Sequence, residues 1–176
     1  MRLLGLVSLY LLLLPAAAQE GPNLIKNGSF EEPFAADGKP AGWAVYGGLT
    51  PTRVLRAATL ARTGKQALQL EDQDPGEEIG ITQTVAAEPN KVYRASVWIH
   101  AFERFSSAGS HLQMRFLPSN QYRQVSLVTR AAAGWRQVRV TGLAPADTKQ
   151  VTLYLYSHRD PIPRLLLDDV ELVAGA

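Results

Sequence analysis

The sequence contains no cysteine. Disulfides, zinc–thiolate centres and cysteine nucleophiles are therefore excluded, and an oxidising compartment adds no covalent staple. Any staple beyond packing must be a hard metal held by oxygen. Long apolar runs are also scarce. The one present, Leu3–Leu14, is shorter than the roughly 20 residues a membrane span needs. With Arg2 before it and Ala16-Ala17-Ala18 after it, residues 1–18 read as an export signal. Residues 19–176 are then one domain, secreted to the periplasm or outside the cell, with no membrane span after cleavage. Charge of one sign is lacking too: 18 Lys and Arg face 16 Asp and Glu, and the formal +2 drops by one if Arg2 leaves with the signal. No basic cluster appears, which argues against a nucleic-acid partner.

A helical apolar period is missing as well; no stretch keeps a 3.6-residue repeat over three turns. What the chain has instead is short alternating segments bounded by turn formers such as "DPG" (74–76), "EPN" (88–90) and "LPSN" (117–120). Strands are expected at 66–70, 79–85, 92–99, 111–116, 124–128, 135–140, 151–156 and 164–173. Many short strands at this spacing predict an all-β sandwich or jelly roll of two antiparallel sheets.

Alternation also assigns faces, because neighbouring strand residues point to opposite sides. Val151, Leu153 and Leu155 form one set, leaving Thr152, Tyr154 and Tyr156 on the other. Leu112, Met114 and Phe116 go inward, leaving His111, Gln113 and Arg115 outside. Tyr93, Ala95, Val97 and Ile99 pair as an inner set, opposite Arg94, Ser96, Trp98 and His100, although a core place for Trp98 stays open. On the last strand, parity groups Asp168 with Val170 and Leu172 on the core side and sends Asp169 and Glu171 out. A carboxylate aimed at a core is costly unless paired or bound to metal.

The order of "NLIKNGSFEEP" (23–33), "PAGWAV" (40–45), "TGKQALQL" (63–70), "ITQTV" (81–85), "VYRASVWIHA" (92–101), "GWRQVRV" (134–140), "VTLYLYS" (151–157) and "LLLDDVEL" (165–172) resembles a known family. It is similar to the secreted β-jelly-roll carbohydrate-binding modules of families four, nine and twenty-two, within the galactose-binding-like fold. The resemblance implies non-catalytic binding of a poly- or oligosaccharide by a single module. It also implies a structural calcium held by Glu31, the Ser29 and Lys65 carbonyls and Asp168. Calcium prefers six to eight hard oxygens, which these groups supply. The sugar is expected on a sheet face. Trp98, Tyr154 and Tyr156 are the ring candidates, His100, Gln113 and Arg115 the polar ones, and Glu78 a candidate from the loop before the strand at 79–85. That loop lacks the Trp often found there in the family.

Catalytic patterns are hard to find. Glycoside hydrolysis needs two carboxylates across the scissile bond, whereas Glu71, Asp72, Asp74, Glu77 and Glu78 crowd around one turn. There is no G-x-S-x-G elbow, and the neighbours Ser110 and His111 point apart if extended. "HRD" (158–160) stands without the other kinase motifs. His100, His111 and His158 have no metal-ligand spacing. Asn27-Gly28-Ser29 is a formal glycosylation sequon that the turn itself explains. The expectation is not an enzyme. The rival reading is a structural or adhesion sandwich of the cell envelope that contacts a cell-surface protein, with a glycoside hydrolase component behind it.

Overall fold

The computed structural model describes residues 21–102, 110–127, 134–158 and 161–175. The expected signal segment, most of "SSAGSH" and the last two residues of "HRD" lie outside these. Ten strands follow in chain order: β1 (Ala44–Gly47), β2 (Arg53–Ala58), β3 (Ala67–Asp72), β4 (Ile79–Ala86), β5 (Val92–Ala101), β6 (His111–Leu117), β7 (Tyr122–Ser126), β8 (Trp135–Leu143), β9 (Gln150–Tyr156) and β10 (Ile162–Ala174). They form two five-stranded sheets, ordered β1-β4-β9-β6-β7 (sheet A) and β2-β3-β10-β5-β8 (sheet B). Every pairing between them is antiparallel. The architecture is the expected all-β jelly-roll sandwich. The eight expected strands are all present; β1 and β2, both at sheet edges, are additional.

Alternation builds the core. Sheet A turns in Ile79, Ile81, Leu112, Met114, Phe116, Val151, Leu153 and Leu155, and sheet B turns in Leu68, Leu70, Tyr93, Ala95, Val97, Ile99, Leu165 and Leu167. All are buried, and Tyr93 meets Phe116 across the two layers with ring centroids 6.1 Å apart. Each of the larger aliphatic side chains and Phe116 contributes about 1.5–3 kcal/mol when removed from water.

The opening segment closes the sandwich against the last strand. A β-bulge interrupts the β10–β5 register between Asp168 and Glu171, where Asp169 takes a left-handed φ of 46°. Two residues then oppose one, and the bulged backbone loses its ladder partner. The opening segment supplies that partner: Val170 N donates to the Gly28 carbonyl at 2.8 Å, and Asn23 Nδ2 donates to the Val170 carbonyl at 3.1 Å. Gly28 is required by this contact, since a Cβ there would lie 2.1 Å from the Val170 oxygen. Nearby, Trp43 is buried against Phe30 at 5.8 Å and donates from Nε1 to the Asn27 carbonyl.

The bulge corrects the parity reading of the two aspartates. Asp168 pairs with Trp98, and Glu171 pairs with Ser96, so both lie on the outward face of sheet B. Val170 and Leu172 face inward. Asp168 is nevertheless fully buried, beneath the segment at 62–63 and not in the core.

Candidate functional site

The outward face of sheet A is a grid whose rows follow from the register. One row holds Tyr46, Gly80, Tyr156, His111 and Ser126. The next holds Ala44, Thr82, Tyr154, Gln113 and Gln124. The third holds Thr84, Thr152, Arg115 and Tyr122. Three tyrosines gather across the first two rows. The Tyr46 ring meets Tyr154 edge-on at 5.4 Å and Tyr156 at 5.3 Å, while Tyr154 and Tyr156 lie 6.3 Å apart. Edge-to-face pairs of this kind are worth about 0.5–1.5 kcal/mol beyond their buried area. Gly80 makes the cluster possible: a Cβ at that position would lie 2.2 Å from the Leu155 oxygen and 2.5 Å from the Tyr156 Cβ.

Polar groups stand among these rings. Gln113, itself buried, donates from Nε2 to Gln124 Oε1 at 2.8 Å and to the Tyr156 hydroxyl at 3.1 Å. Its Oε1 accepts from the Arg115 guanidinium at 3.0 Å. That guanidinium lies 5.3 Å from the Tyr154 ring and 5.8 Å from the ring of Tyr122, a residue about half exposed. Burial raises the Tyr156 phenol above its ordinary value. At one end of the grid Glu78 accepts from the Tyr46 hydroxyl at 2.6 Å and pairs with His158 Nδ1. The hydrogen bond to Glu78, aided by burial, pushes the Tyr46 phenol up to about 12. Tyr46, Gly47, Gly76, Glu77 and Glu78 line an open concavity of about 430 Å³ there.

The face thus collects Gln113, Arg115, Tyr154, Tyr156 and Glu78 from the sequence-derived set. It does not collect Trp98 and His100, which lie on β5 in the other sheet. Trp98 is covered by the Arg62 guanidinium, 3.8 Å above its ring, and His100 packs between Phe102 at 4.8 Å and Trp135 at 5.5 Å. The outward parity of both residues was correct, but parity says nothing about which sheet a strand joins. Tyr46, Tyr122 and Gln124 went unread in the sequence, and His158 was read there only as a histidine without metal-ligand spacing. A hint for Tyr46 was available in the short apolar run before Gly47-Gly48.

The two expected carboxylate ligands, Glu31 and Asp168, both bond to the backbone of residues 62–66. Glu31 Oε1 accepts the backbone N–H groups of Lys65 at 2.9 Å and Gln66 at 3.0 Å. Asp168 Oδ2 accepts those of Arg62 at 2.8 Å and Thr63 at 3.2 Å, and its Oδ1 accepts that of Asp169 at 2.7 Å. Burial pushes the Asp168 carboxyl up from its ordinary value, while these three amides pull it back. Asp169 is not a free outward charge; it pairs with Arg62 at 2.7 Å and accepts from Thr63 Oγ1 at 2.6 Å. Among the described residues no three acidic or histidine side chains converge on one point. The donor set fits calcium in type, since two carboxylates and main-chain carbonyls are hard oxygens. Amide hydrogens already meet part of the carboxylate charge.

No family model and no curated protein match the chain. Solved structures do. The enzymatically active domain of tailspike protein 4 from bacteriophage CBA120 superposes with a TM-score of 0.65 at 12% identity over 86% of this chain. The chain spans only 21% of that protein's length. A Stig cyclase from Fischerella sp. TAU, in complex with an indole derivative, gives 0.66 at 20% identity, covering 90% of this chain and 98% of the cyclase. A family 61 carbohydrate-binding module in complex with β-1,4-galactotriose gives 0.59 at 19% identity, covering 86% and 98%. Modules of families 4, 16 and 22 superpose at 0.55 to 0.57. At these identities the likeness establishes the carbohydrate-binding-module-like fold.

Proposed function

We propose that the protein is a secreted, non-catalytic module that binds a poly- or oligosaccharide on the outward face of sheet A. One observation carries the reading: four tyrosines share that face with Gln113, Gln124 and Arg115. Aromatic rings take the C–H faces of sugars, while amide and guanidinium groups meet hydroxyls. Structural neighbours crystallised with galactotriose, or described as xylan-binding, support it. Tyr154 and Tyr122 present ring surface. Tyr156, only 9% exposed, fixes the direction of Gln113. A glycan array followed by calorimetry on Tyr154→Ala tests the reading. A glycan hit whose affinity falls in the variant is expected; no hit in any glycan class would overturn it.

Calcium is part of the proposal. Glu31, Asp168 and the Ser29 and Lys65 carbonyls would hold the ion, which supplies only charge and cross-linking. Support comes from the oxygen donor types and from both carboxylates meeting the 62–66 segment.

A second reading is favoured by the Tyr46–Glu78–His158 row beside its concavity. A base held by a carboxylate next to a phenol is a proton-transfer arrangement, and one structural neighbour is a cyclase. Turnover of a small aromatic ligand that disappears in His158→Ala would favour it over the sugar reading.

A further inference from the structure

The five strands of sheet A, "AVYG", "IGITQTVA", "HLQMRFL", "YRQVS" and "QVTLYLY", contain no aspartate or glutamate. Sheet B carries Glu71, Asp72, Asp168, Asp169 and Glu171. On the outward face of sheet A the central cation is Arg115. The other arginine of that sheet, Arg123, sits at the opposite parity with its stem against Gly142 of β8.

Arg115 is half-buried and holds its guanidinium among Tyr154, Tyr122 and the Gln113 carbonyl oxygen. Its Nε is buried with no hydrogen-bond partner among the described residues, and no carboxylate pairs with it there. Along the grid Glu78 lies three rows away, roughly 20 Å at about 3.3 Å per strand residue. That exceeds the screening length of about 8 Å at physiological salt. Glu78 is moreover engaged by Tyr46 and His158.

We infer that this face selects an acidic saccharide, with Arg115 as the specificity-determining residue for a sugar carboxylate. The inference rests on the saccharide reading above and narrows it. A guanidinium offers two parallel N–H donors that match the two oxygens of a carboxylate. Half-buried and without a counter-ion among the described residues, it gains most from a ligand that brings one. The Gln113 oxygen fixes the plane of the fork, and the Tyr154 and Tyr122 rings flank the space where a sugar ring would carry the acid. A sulfate ester would offer similar oxygens, but the planar fork favours the planar group.

The experiment uses the full chain and calorimetry with three ligands of equal length: a uronate oligosaccharide, its carboxyl-reduced neutral counterpart and a sulfated oligosaccharide. The uronate is expected to bind about ten-fold to a hundred-fold tighter than the reduced sugar, the range for a hydrogen bond to a charged group. Arg115→Gln should remove that preference, Arg115→Lys should keep part of it, and Arg123→Gln should leave it unchanged. If Arg115→Gln does not fold, the uronate-to-neutral ratio of the unaltered protein and its fall with added salt decide the matter. Tighter binding of the sulfated ligand would overturn the choice of carboxylate. Equal affinity for uronate and neutral sugar would overturn the inference and leave the saccharide reading standing. No binding of any of the three would overturn the inference, and the array would then decide the broader reading.

Discussion

Removing the Asp168 carboxylate should cost more than its place on an outward face implies. The side chain is fully buried and accepts three backbone N–H groups, two of them from the segment that Glu31 also holds through the Lys65 and Gln66 amides. Each orphaned buried donor costs about 1–3 kcal/mol. Part of that is offset, because burial of the charge raises the Asp168 carboxyl and its removal relieves that penalty. A net loss of about 3 kcal/mol follows for Asp168→Ala, or roughly 6–12 °C in melting temperature for a domain of this size. Glu31 is exposed, so Glu31→Gln should cost only about 1 kcal/mol. Both side chains hold one segment, so the double variant should lose less than the sum. Calorimetric melts in chelator measure these values, and a second series in calcium measures the ion. At a hundredfold excess over its dissociation constant calcium would add about 2.7 kcal/mol, and that increment should vanish in either variant. A loss below 2 °C for Asp168→Ala in chelator would refute the account of the amide clamp. An unchanged melting temperature on adding calcium would refute the metal.

Three further outcomes are expected. Asp169→Ala should lower stability by about 1 kcal/mol, since it removes the Arg62 ion pair and the Thr63 hydrogen bond; a thermal melt indistinguishable from the parent would disprove it. Gly80→Ala should cost about 1–3 kcal/mol and disturb the tyrosine cluster, because its Cβ meets backbone that cannot swing aside; intact near-ultraviolet circular dichroism would contradict this. The Tyr46 phenol should ionise near 12 and not 10, so the stability it contributes is whole below pH 10 and is lost as pH rises toward 12. An absorbance titration compared with Tyr46→Phe reads this directly, and a missing difference near pH 12 would count against the Glu78 hydrogen bond.

Period-two alternation was enough to read the core and to place Tyr154, Tyr156, Gln113 and Arg115 on outward faces, because each strand interior obeys it. Three features escaped for physical reasons. β1 and β2 are short edge strands whose patterns are weak, so Tyr46 was missed with β1. The bulge at Asp169 inverted a parity argument that was sound for a regular strand; only the close approach of Gly28 explains where the extra residue goes. Trp98 and His100 show a third limit. Face parity is local, whereas sheet membership depends on pairings between residues distant in sequence.

β9 and β10, last in chain order among the ten strands, each occupy the centre of a sheet. β9 joins β4 to β6, and β10 joins β3 to β5. Until residues 150–174 are synthesised, both layers exist only as separate ribbon pairs with open inner edges. Such edges are templates for mispairing, and the long-range closure that removes them carries a large entropic cost and is intrinsically slow. The decisive closing step therefore waits for residues 150–174, and forms clipped before them should depend on chaperones and be cleared by proteases.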